Sequence, residues 1–184
     1  MSRQSLPYEH LGDALATDYF QVREQFSEEQ WEHFIATRRF VDGEVLPAIN
    51  AYWEAAELPW PLMHRLAELG LLGEDIRGHG CPGMSPLARG LVNMELHRGD
   101  GSLGTFLGVQ SGLAMKSIDL LGSDTQKERW LPAMARLEAI GNGSIADVVV
   151  VWARSGEDGQ VKAFLVEKDT PGFEATTMES KGAS

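Results

Sequence analysis

Residues 139–152 read AIGNGSIADVVVVW, and the character of the chain changes within this stretch. The run IADVVVVW, residues 145–152, is β-branched and too apolar for a solvated helix. After the turn-rich SGEDG, the run QVKAFLVE, residues 160–167, repeats the pattern, which is typical of a strand, a loop and a strand. The sequence therefore predicts strands over residues 145–153, 161–167 and 173–177.

The residues before this stretch carry helical periodicity and helical end signals. An order of helices first and strands second, without alternation, argues against a parallel βαβ sheet. The chain is therefore predicted to be an α+β protein, with an N-terminal helical bundle followed by an incomplete antiparallel β-domain. We expect an N-terminal arm over residues 1–26, a helical domain over residues 27–139 and a partial middle β-domain over residues 140–184.

Three sites carry signals for the start of a helix, in which a serine side chain accepts a hydrogen bond from the first turn. Two glycine-containing stretches, residues 43–47 and 99–104, predict breaks or kinks between helices. The helix after the second break is predicted to have an apolar face of Phe106, Val109, Leu113, Ile118 and Leu121. The three start signals are Ser27 with Gln30, Ser85 with Pro86, and Ser123 with Gln126.

The charge and hydropathy of the chain exclude some classes of partner. The sequence holds 16 Lys and Arg against 27 Asp and Glu, a formal net charge of -11. This charge opposes sequence-independent binding to phosphate backbones, so no nucleic-acid partner is expected. No apolar run approaches the ~18 residues of a membrane span, and the start MSRQSLPYEH does not have the pattern of a signal peptide. We therefore expect a cytoplasmic protein with no membrane span.

Generic catalytic and metal-binding motifs are absent from the sequence. It has no dinucleotide-binding glycine motif, no P-loop and no zinc-protease helix motif, and the five histidines have no spacing that suits metal ligands. Cys81 has no second cysteine to pair with and is expected to be a small buried or loop residue. Residue chemistry alone therefore indicates an acidic α+β protein without a metal and without a defined reaction.

Longer sequence segments are more specific than these generic motifs. The segments 61–73, 78–134, 146–153 and 164–173 together resemble the acyl-CoA dehydrogenase family of flavoenzymes, in its glutaryl-CoA dehydrogenase-like branch. The phrase GSDTQKERWLP, residues 122–132, is similar to a family segment that ends in leucine and proline. The phrase FLVEKDTPGF, residues 164–173, is similar to a family strand and turn. These phrases stand in the family's order, and the resemblance covers most of residues 26–181.

The resemblance implies a helical N-terminal domain, a middle β-domain and a C-terminal helical bundle, with FAD between the last two. It implies the 2,3-dehydrogenation of an acyl-CoA thioester, in which a carboxylate removes the α-proton and the β-hydrogen leaves as hydride to the flavin. The implied partners are the acyl-CoA thioester substrate, an electron-transfer partner protein and further copies of the chain in a homo-oligomer, often a tetramer.

The resemblance also implies a flavin contact where the chain changes character. Ile140, Gly141 and Asn142 match positions that contact the flavin in the family. Ala139 stands where the family has a tryptophan, and Asn142 with the glycine after it is equally a plain turn pair. A family segment that contacts flavin and substrate, together with two strands, is missing between LEAIG and NGSIADVVVV.

The chain ends at Ser184, inside what resembles the middle domain. The family's catalytic glutamate lies in the C-terminal bundle, so no residue of this sequence inherits the role of the base. Two explanations remain open: the sequence is the ordered part of a longer chain, or it is a truncated remnant. Because three strands make a poor sheet, we favour the first explanation, an ordered part of a longer chain. The alternative is a non-catalytic remnant that acts as a helical interaction module.

The resemblance assigns substrate contacts to Gly104 and Thr105. In the glutaryl-type branch an arginine and a serine at these positions meet the substrate, and this sequence has glycine in place of the arginine. Glycine cannot pair with a distal carboxylate, so an uncharged acyl chain is expected in preference to a glutaryl chain. Thr105 can supply a hydroxyl group or can serve only as a helix cap.

Overall fold

The computed structural model describes residues 25–141 and 143–176. Residues 1–24 of the expected N-terminal arm lie outside the described residues. Within the described part, a helical layer comes first and a β-hairpin follows, which confirms the predicted α+β class. The α-helices are α1 (Glu28–Phe40), α2 (Leu46–Ala55), α3 (Trp60–Glu68), α4 (Pro86–Gly99), α5 (Gly101–Leu107), α6 (Lys116–Leu121) and α7 (Asp124–Ala135).

The predicted helix starts are confirmed. Ser27 and Gln30 form a reciprocal capping box at α1, because each side chain bonds to the backbone of the other residue. Ser123 and Gln126 form the same arrangement at α7. The Ser85 side chain accepts a hydrogen bond from the Ala88 backbone at the start of α4. Each cap satisfies backbone donors that have no partner within the helix.

The break or kink predicted at residues 43–47 takes the form of a π-helical segment, and the helix is not broken there. The chain stays helical through this segment, Val41–Val45, and then continues directly into α2. Pro47 lies in the first turn of α2, where a residue without an N–H group is tolerated. The wider hydrogen-bond ring of the π-helix accommodates an extra residue, so the backbone stays helical across the segment.

The second predicted break, at residues 99–104, is only one residue long. Only Asp100 is extended between α4 and α5, and its side chain accepts a hydrogen bond from the Leu103 backbone at 2.9 Å. After α5 the chain passes through a second π-helical segment, Gly108–Met115, into α6. The predicted longer apolar helix is therefore present, with a π-helical segment inside it. Of its apolar residues, Phe106 and Ile118 are buried, whereas Leu113 and Leu121 are 65% and 63% exposed.

The helical layer is held by one large apolar core and a buried ion pair. The core includes Leu66, Leu96, Leu107 and Leu131, all 0% exposed. Arg38 of α1 donates to Glu95 of α4 at 2.9 Å, and both side chains are almost completely buried. A buried charge that loses its partner is strongly destabilising. Separation of α1 from α4 would break this pair, so the pair holds the two helices together.

The strands form two separate antiparallel pairs. Strands β1 (Arg77–Gly78) and β2 (Cys81–Pro82) make a short turn between α3 and α4. Strands β3 (Val148–Arg154) and β4 (Val161–Glu167) form the hairpin. The predicted first strand therefore begins three residues late, since a 3-10 turn, Gly143–Ile145, occupies its start. The third predicted strand is absent over residues 173–176, where no partner strand is paired with it, and residue 177 lies outside the described residues.

Candidate functional site

The crossing segment, residues 136–147, leads from α7 to β3 and contains the predicted flavin positions. It packs against the second π-helical segment, which continues α5 and therefore also follows the predicted substrate positions. Gly141 shows the closeness of this packing. A Cβ atom added there would lie 2.4 Å from the Cβ of Ala114. Only glycine allows the backbone to approach the helix so closely.

The side chain of Gln110 holds one side of the crossing segment. Its Nε2 donates to the Ala139 carbonyl at 3.0 Å and to the Met134 carbonyl at 3.4 Å. Its Oε1 accepts from the Gly141 backbone N–H at 2.8 Å. The side chain is fully buried, so these three bonds satisfy an amide that has no access to water.

The π-helical geometry accounts for the position of Gln110. Gln110 and Ser111 are both 0% exposed, although they lie in an otherwise apolar helix. Ser111 Oγ accepts a hydrogen bond from the Gly73 backbone at 2.9 Å. The two consecutive side chains thus bind two different segments of the chain. A local π-helical bulge is a frequent device at functional sites, because it changes which side chains face a neighbouring segment.

Asp147 holds the other side of the crossing segment. Its Oδ2 accepts from the Ile140 backbone N–H at 3.0 Å, and its own N–H donates to the Ile140 carbonyl at 2.7 Å. Its Oδ1 lies 3.1 Å from the Lys168 ammonium group. The backbone N–H groups of Ile140 and Gly141 are therefore both used within the chain. Asn142, the third predicted flavin residue, lies outside the described residues.

The predicted substrate residues lie within α5. Gly104 is buried, and an added Cβ atom would lie 2.4 Å from two atoms of the His97 imidazole. The imidazole ring thus occupies the space of a side chain at position 104. His97 Nδ1 lies 2.8 Å from the Asn93 carbonyl. Thr105 is exposed, and Asp100 rather than Thr105 caps the helix.

The predicted substrate residues lie in one continuous helical stretch, residues 101–121, and the predicted flavin residues lie on a segment that packs against the same stretch. Gly104 and Thr105 lie near its start, and Gly141 contacts Ala114 in its second half. Their roles toward substrate and flavin stay predictions. Sequence reasoning missed Gln110 and Asp147, which hold the crossing segment. A signal for Gln110 was available, namely two adjacent polar residues in the middle of an apolar helix.

A second buried polar group lies beside this site. Glu74 is 4% exposed, and its Oε1 accepts from Asn93 Nδ2 at 3.4 Å. Its Oε2 makes no hydrogen bond within residues 25–141 and 143–176. Burial raises the pKa of the Glu74 carboxyl, and the Ser111 hydroxyl, the Asn93 amide and the Arg89 charge oppose this rise only in part. Burial therefore makes ionisation of this carboxyl less favourable than in water.

Cys81 fits the expectation of a small, partly buried residue. Burial, together with the nearby carboxylates of Asp119, Asp75 and Glu74, raises the pKa of Cys81 to about 11. A thiol with such a pKa stays protonated near neutral pH and is a weak nucleophile. In the described stretches of the chain, no three His, Cys, Asp or Glu side chains converge on a common metal position. The helices seen there are also too short or too polar to traverse a bilayer.

The helical layer, the hairpin and the crossing between them define the N-terminal and part of the middle region of an acyl-CoA dehydrogenase. The family model described as "Acyl-CoA dehydrogenase, N-terminal domain" matches residues 27–138. The chain belongs to the acyl-CoA dehydrogenase family.

Solved structures and curated relatives agree with this assignment. The glutaryl-CoA dehydrogenase from Mycobacterium smegmatis superposes with a TM-score of 0.84 at 37% identity, over 90% of this chain and 52% of that one. The benzylmalonyl-CoA dehydrogenase of Aromatoleum aromaticum is 30% identical over 176 residues, which are 73% of this chain and 46% of the relative. A probable acyl-CoA dehydrogenase of Bacillus subtilis is 26% identical over 89% of this chain and 34% of its own length. The chain spans half or less of the length of these curated relatives.

Proposed function

We propose that this chain is part of an FAD-dependent acyl-CoA dehydrogenase, which converts an acyl-CoA thioester to the 2,3-enoyl thioester. The observation that carries the proposal is the family match over residues 27–138 together with the close superposition on a glutaryl-CoA dehydrogenase. FAD supplies the hydride acceptor for such a reaction when it is bound. The proposed partners are an acyl-CoA thioester, an electron-transfer partner protein and further copies of the chain.

The domain organisation belongs to the same proposal. We assign an arm to residues 1–26, a helical N-terminal domain to residues 27–139 and part of a middle β-domain to residues 140–184. The support is the end of α7 at Ala135 and the start of β3 at Val148. No residue is assigned as the catalytic base, so the 184-residue chain alone is proposed to be inactive.

The backbone N–H groups of Ile140 and Gly141 do not fit a role as hydrogen-bond donors to a flavin. The Ile140 N–H is bonded to Asp147, and the Gly141 N–H is bonded to Gln110. A flavin ring beside this segment would find neither group free. We therefore keep Ile140, Gly141 and Asn142 as proposed neighbours of the cofactor and assign them no hydrogen bond to it.

For the substrate, we propose an uncharged acyl chain beside Gly104 and Thr105. Glycine at position 104 offers no cation to a distal carboxylate, and the His97 ring already fills the space of a side chain there. Without a charge-assisted hydrogen bond, a dicarboxylyl thioester loses roughly 1.5 to 3 kcal/mol, or one to two powers of ten in affinity. The proposed preference is therefore for neutral acyl-CoA thioesters.

An arginine at position 104 tests this substrate proposal only if His97 is shortened as well. The single variant Gly104→Arg would place its Cβ atom against the imidazole ring. In a flavin-loaded, complete enzyme, the double variant His97→Ala with Gly104→Arg should move the preference toward glutaryl-CoA by about tenfold or more. His97→Ala alone is the control and should leave the preference near that of the parent. A parent enzyme that already favours glutaryl-CoA would contradict the placement of Gly104.

The flavin content of the protein tests the proposed reaction class. The 184-residue chain, checked by intact mass, should purify colourless, whereas a longer parent chain should be yellow and reduce its flavin with an acyl-CoA thioester. A parent that binds no FAD would remove the proposed function. A yellow, stoichiometric 184-residue species would refute the view that the flavin site depends on residues beyond this chain.

The second candidate is a non-catalytic helical interaction module. The observation that favours it is a set of exposed leucines on one helical stretch, Leu113, Leu120 and Leu121, each more than 60% exposed. Exposed apolar residues grouped in this way are typical of a surface that meets another protein. Flavin binding and thioester oxidation by the parent chain separate the two candidates.

A further inference from the structure

We propose that Gln110 is a positioning residue, whose side-chain amide sets the path of the crossing segment between the helical layer and the hairpin. Both ends of the amide are used. The NH2 group donates to Ala139 and Met134, and the carbonyl oxygen accepts from Gly141. One side chain thus binds the end of α7 and both sides of Ile140. Because the crossing segment carries the proposed flavin neighbours, its functional consequence rests on the proposed function.

The geometry requires the length and the donor pattern of glutamine. Asparagine is one methylene shorter and would not reach the crossing segment from the same backbone position. Leucine has a similar volume but would leave the Gly141 N–H and the Ala139 carbonyl without their partner, whereas the Met134 carbonyl would keep its bond from the Leu137 N–H. The close contact of Gly141 with Ala114 prevents the segment from moving toward the helix to compensate.

Substitution of Gln110 by glutamate keeps the shape of the side chain but removes its N–H donor. When ionised, the glutamate can still accept from Gly141, but it cannot donate to Ala139. When protonated it regains one O–H donor and restores that bond. A glutamate at position 110 is therefore expected to hold the segment at low pH and to release it at high pH. The reference pKa of glutamate is about 4.3, and burial moves the titration of such a residue upward.

Asp147 also binds the crossing segment, so the effect of substituting Gln110 is expected to be local. It binds the backbone N–H and carbonyl of Ile140, and these bonds do not involve residue 110. Loss of the Gln110 amide should therefore free Gly141 first and disturb the start of β3 less. The other charged groups on or beside the crossing segment are Arg136, Glu138, Asp147 and Lys168. They are the same in every variant, so they cancel when two substitutions at position 110 are compared.

The test uses amide hydrogen exchange on the 184-residue chain and three variants. Gln110→Glu removes the donor when its carboxylate is ionised and regains a donor when it is protonated. Gln110→Leu removes the donor at every pH. Gln126→Glu is the matched control, because Gln126 is exposed at the start of α7. The reporter is the Gly141 amide, and the buried Leu96 of α4 is the reference. Protection is compared after correction for the intrinsic effect of pH.

Gln110→Leu should lose about tenfold or more of the protection of Gly141 at pH 7, which corresponds to one lost hydrogen bond. Gln110→Glu keeps an acceptor for the Gly141 N–H and loses only the donor to Ala139, so its loss of protection at pH 7 should be smaller. Protection of Leu96 should change much less. At pH 4 the protonated glutamate variant should approach the Gly141 protection of the parent, and the leucine variant should not. Equal losses at Gly141 and Leu96, unchanged protection of Gly141, or identical behaviour of both variants at the two pH values would each overturn the proposal.

A titration with FAD separates this inference from the proposed function. In a longer parent chain that has bound FAD, Gln110→Glu should shift the flavin absorption bands in a pH-dependent way, whereas Gln126→Glu should not. If the parent binds FAD and neither substitution shifts the bands, the result counts against the flavin neighbours proposed above. The role of Gln110 is still decided by hydrogen exchange in the protein without FAD.

Discussion

The helical layer and the hairpin differ in how completely they bury their side chains. In the helical layer, Leu66 and Leu96 are 0% exposed and the buried charge of Glu95 is paired with two arginines. In the hairpin, burial falls along the strand, from 1% exposure at Val148 to 56% at Trp152. The helical layer therefore encloses a complete apolar core, although some of its leucines are exposed, whereas most of the hairpin has no buried face.

The two faces of the hairpin explain the difference. Val151 and Phe164 are opposite each other in the register and are 37% and 42% exposed on one face. Trp152 on the other face is exposed as well. A strand that is apolar on both faces is typical of a sheet covered on both sides. A two-stranded sheet is marginal by itself, so the hairpin is expected to be the least stable part of the described chain.

The largest effect is expected at the buried charges of the helical layer. Glu95→Leu removes the buried one of the two carboxylates that pair with Arg38 and with Arg98, and it should lower the free energy of unfolding by about 3 to 5 kcal/mol. Glu44→Leu is the matched control, since Glu44 pairs with Arg65 at the surface and should cost less than about 1 kcal/mol. Urea unfolding measures both. Equal costs would contradict the special role of the buried pair.

An intermediate effect is expected within a single strand. Val148→Ala removes two methyl groups from a side chain that belongs to the main core and should cost about 2 kcal/mol. Val151→Ala makes the same chemical change three residues later and should stay within about 0.5 kcal/mol. Thermal or urea unfolding gives the two values. A large cost at Val151 would show that the outer half of the hairpin is packed against something.

The smallest effect is expected at Glu74, where the change should be stabilising. Burial raises the pKa of this carboxyl, so the folded state holds its proton more tightly than the unfolded chain. Stability is then greatest below the unfolded pKa and falls as pH rises through the window up to the raised folded pKa. Glu74→Gln should remove this decline and add about 1 kcal/mol at pH 7. Urea unfolding at a series of pH values checks this, and a steeper decline in the variant would contradict it.

Local features of the fold were accessible from the sequence, whereas features that need a distant partner were not. The capping boxes at Ser27 and Ser123 were predicted correctly because both partners lie within one turn. The two π-helical segments were not predicted: the first was expected to be a break or kink at residues 43–47, and the second was expected to be ordinary helix. The third strand was predicted from composition alone, but a strand also needs a neighbour to pair with.

The candidate site shows the same limit. Gly104 and Gly141 were singled out through resemblance, and the structure adds why each is glycine, since His97 and Ala114 lie against them. The buried carboxyl of Glu74 was not predicted, because burial depends on segments far away in sequence. Gln110 contacts residues 24 to 31 positions further along the chain, and no spacing rule connects them.

Native-state hydrogen exchange on the unmodified chain tests the contrast between the two regions most directly. The buried amides of α4, such as those of Val92 and Leu96, should exchange only through global unfolding. The paired amides of β3 and β4 toward the turn should exchange through local opening and be at least about a hundredfold less protected. That result would establish a self-sufficient helical layer that carries a weakly held hairpin. Equal protection of the helices and of the outer hairpin would contradict it.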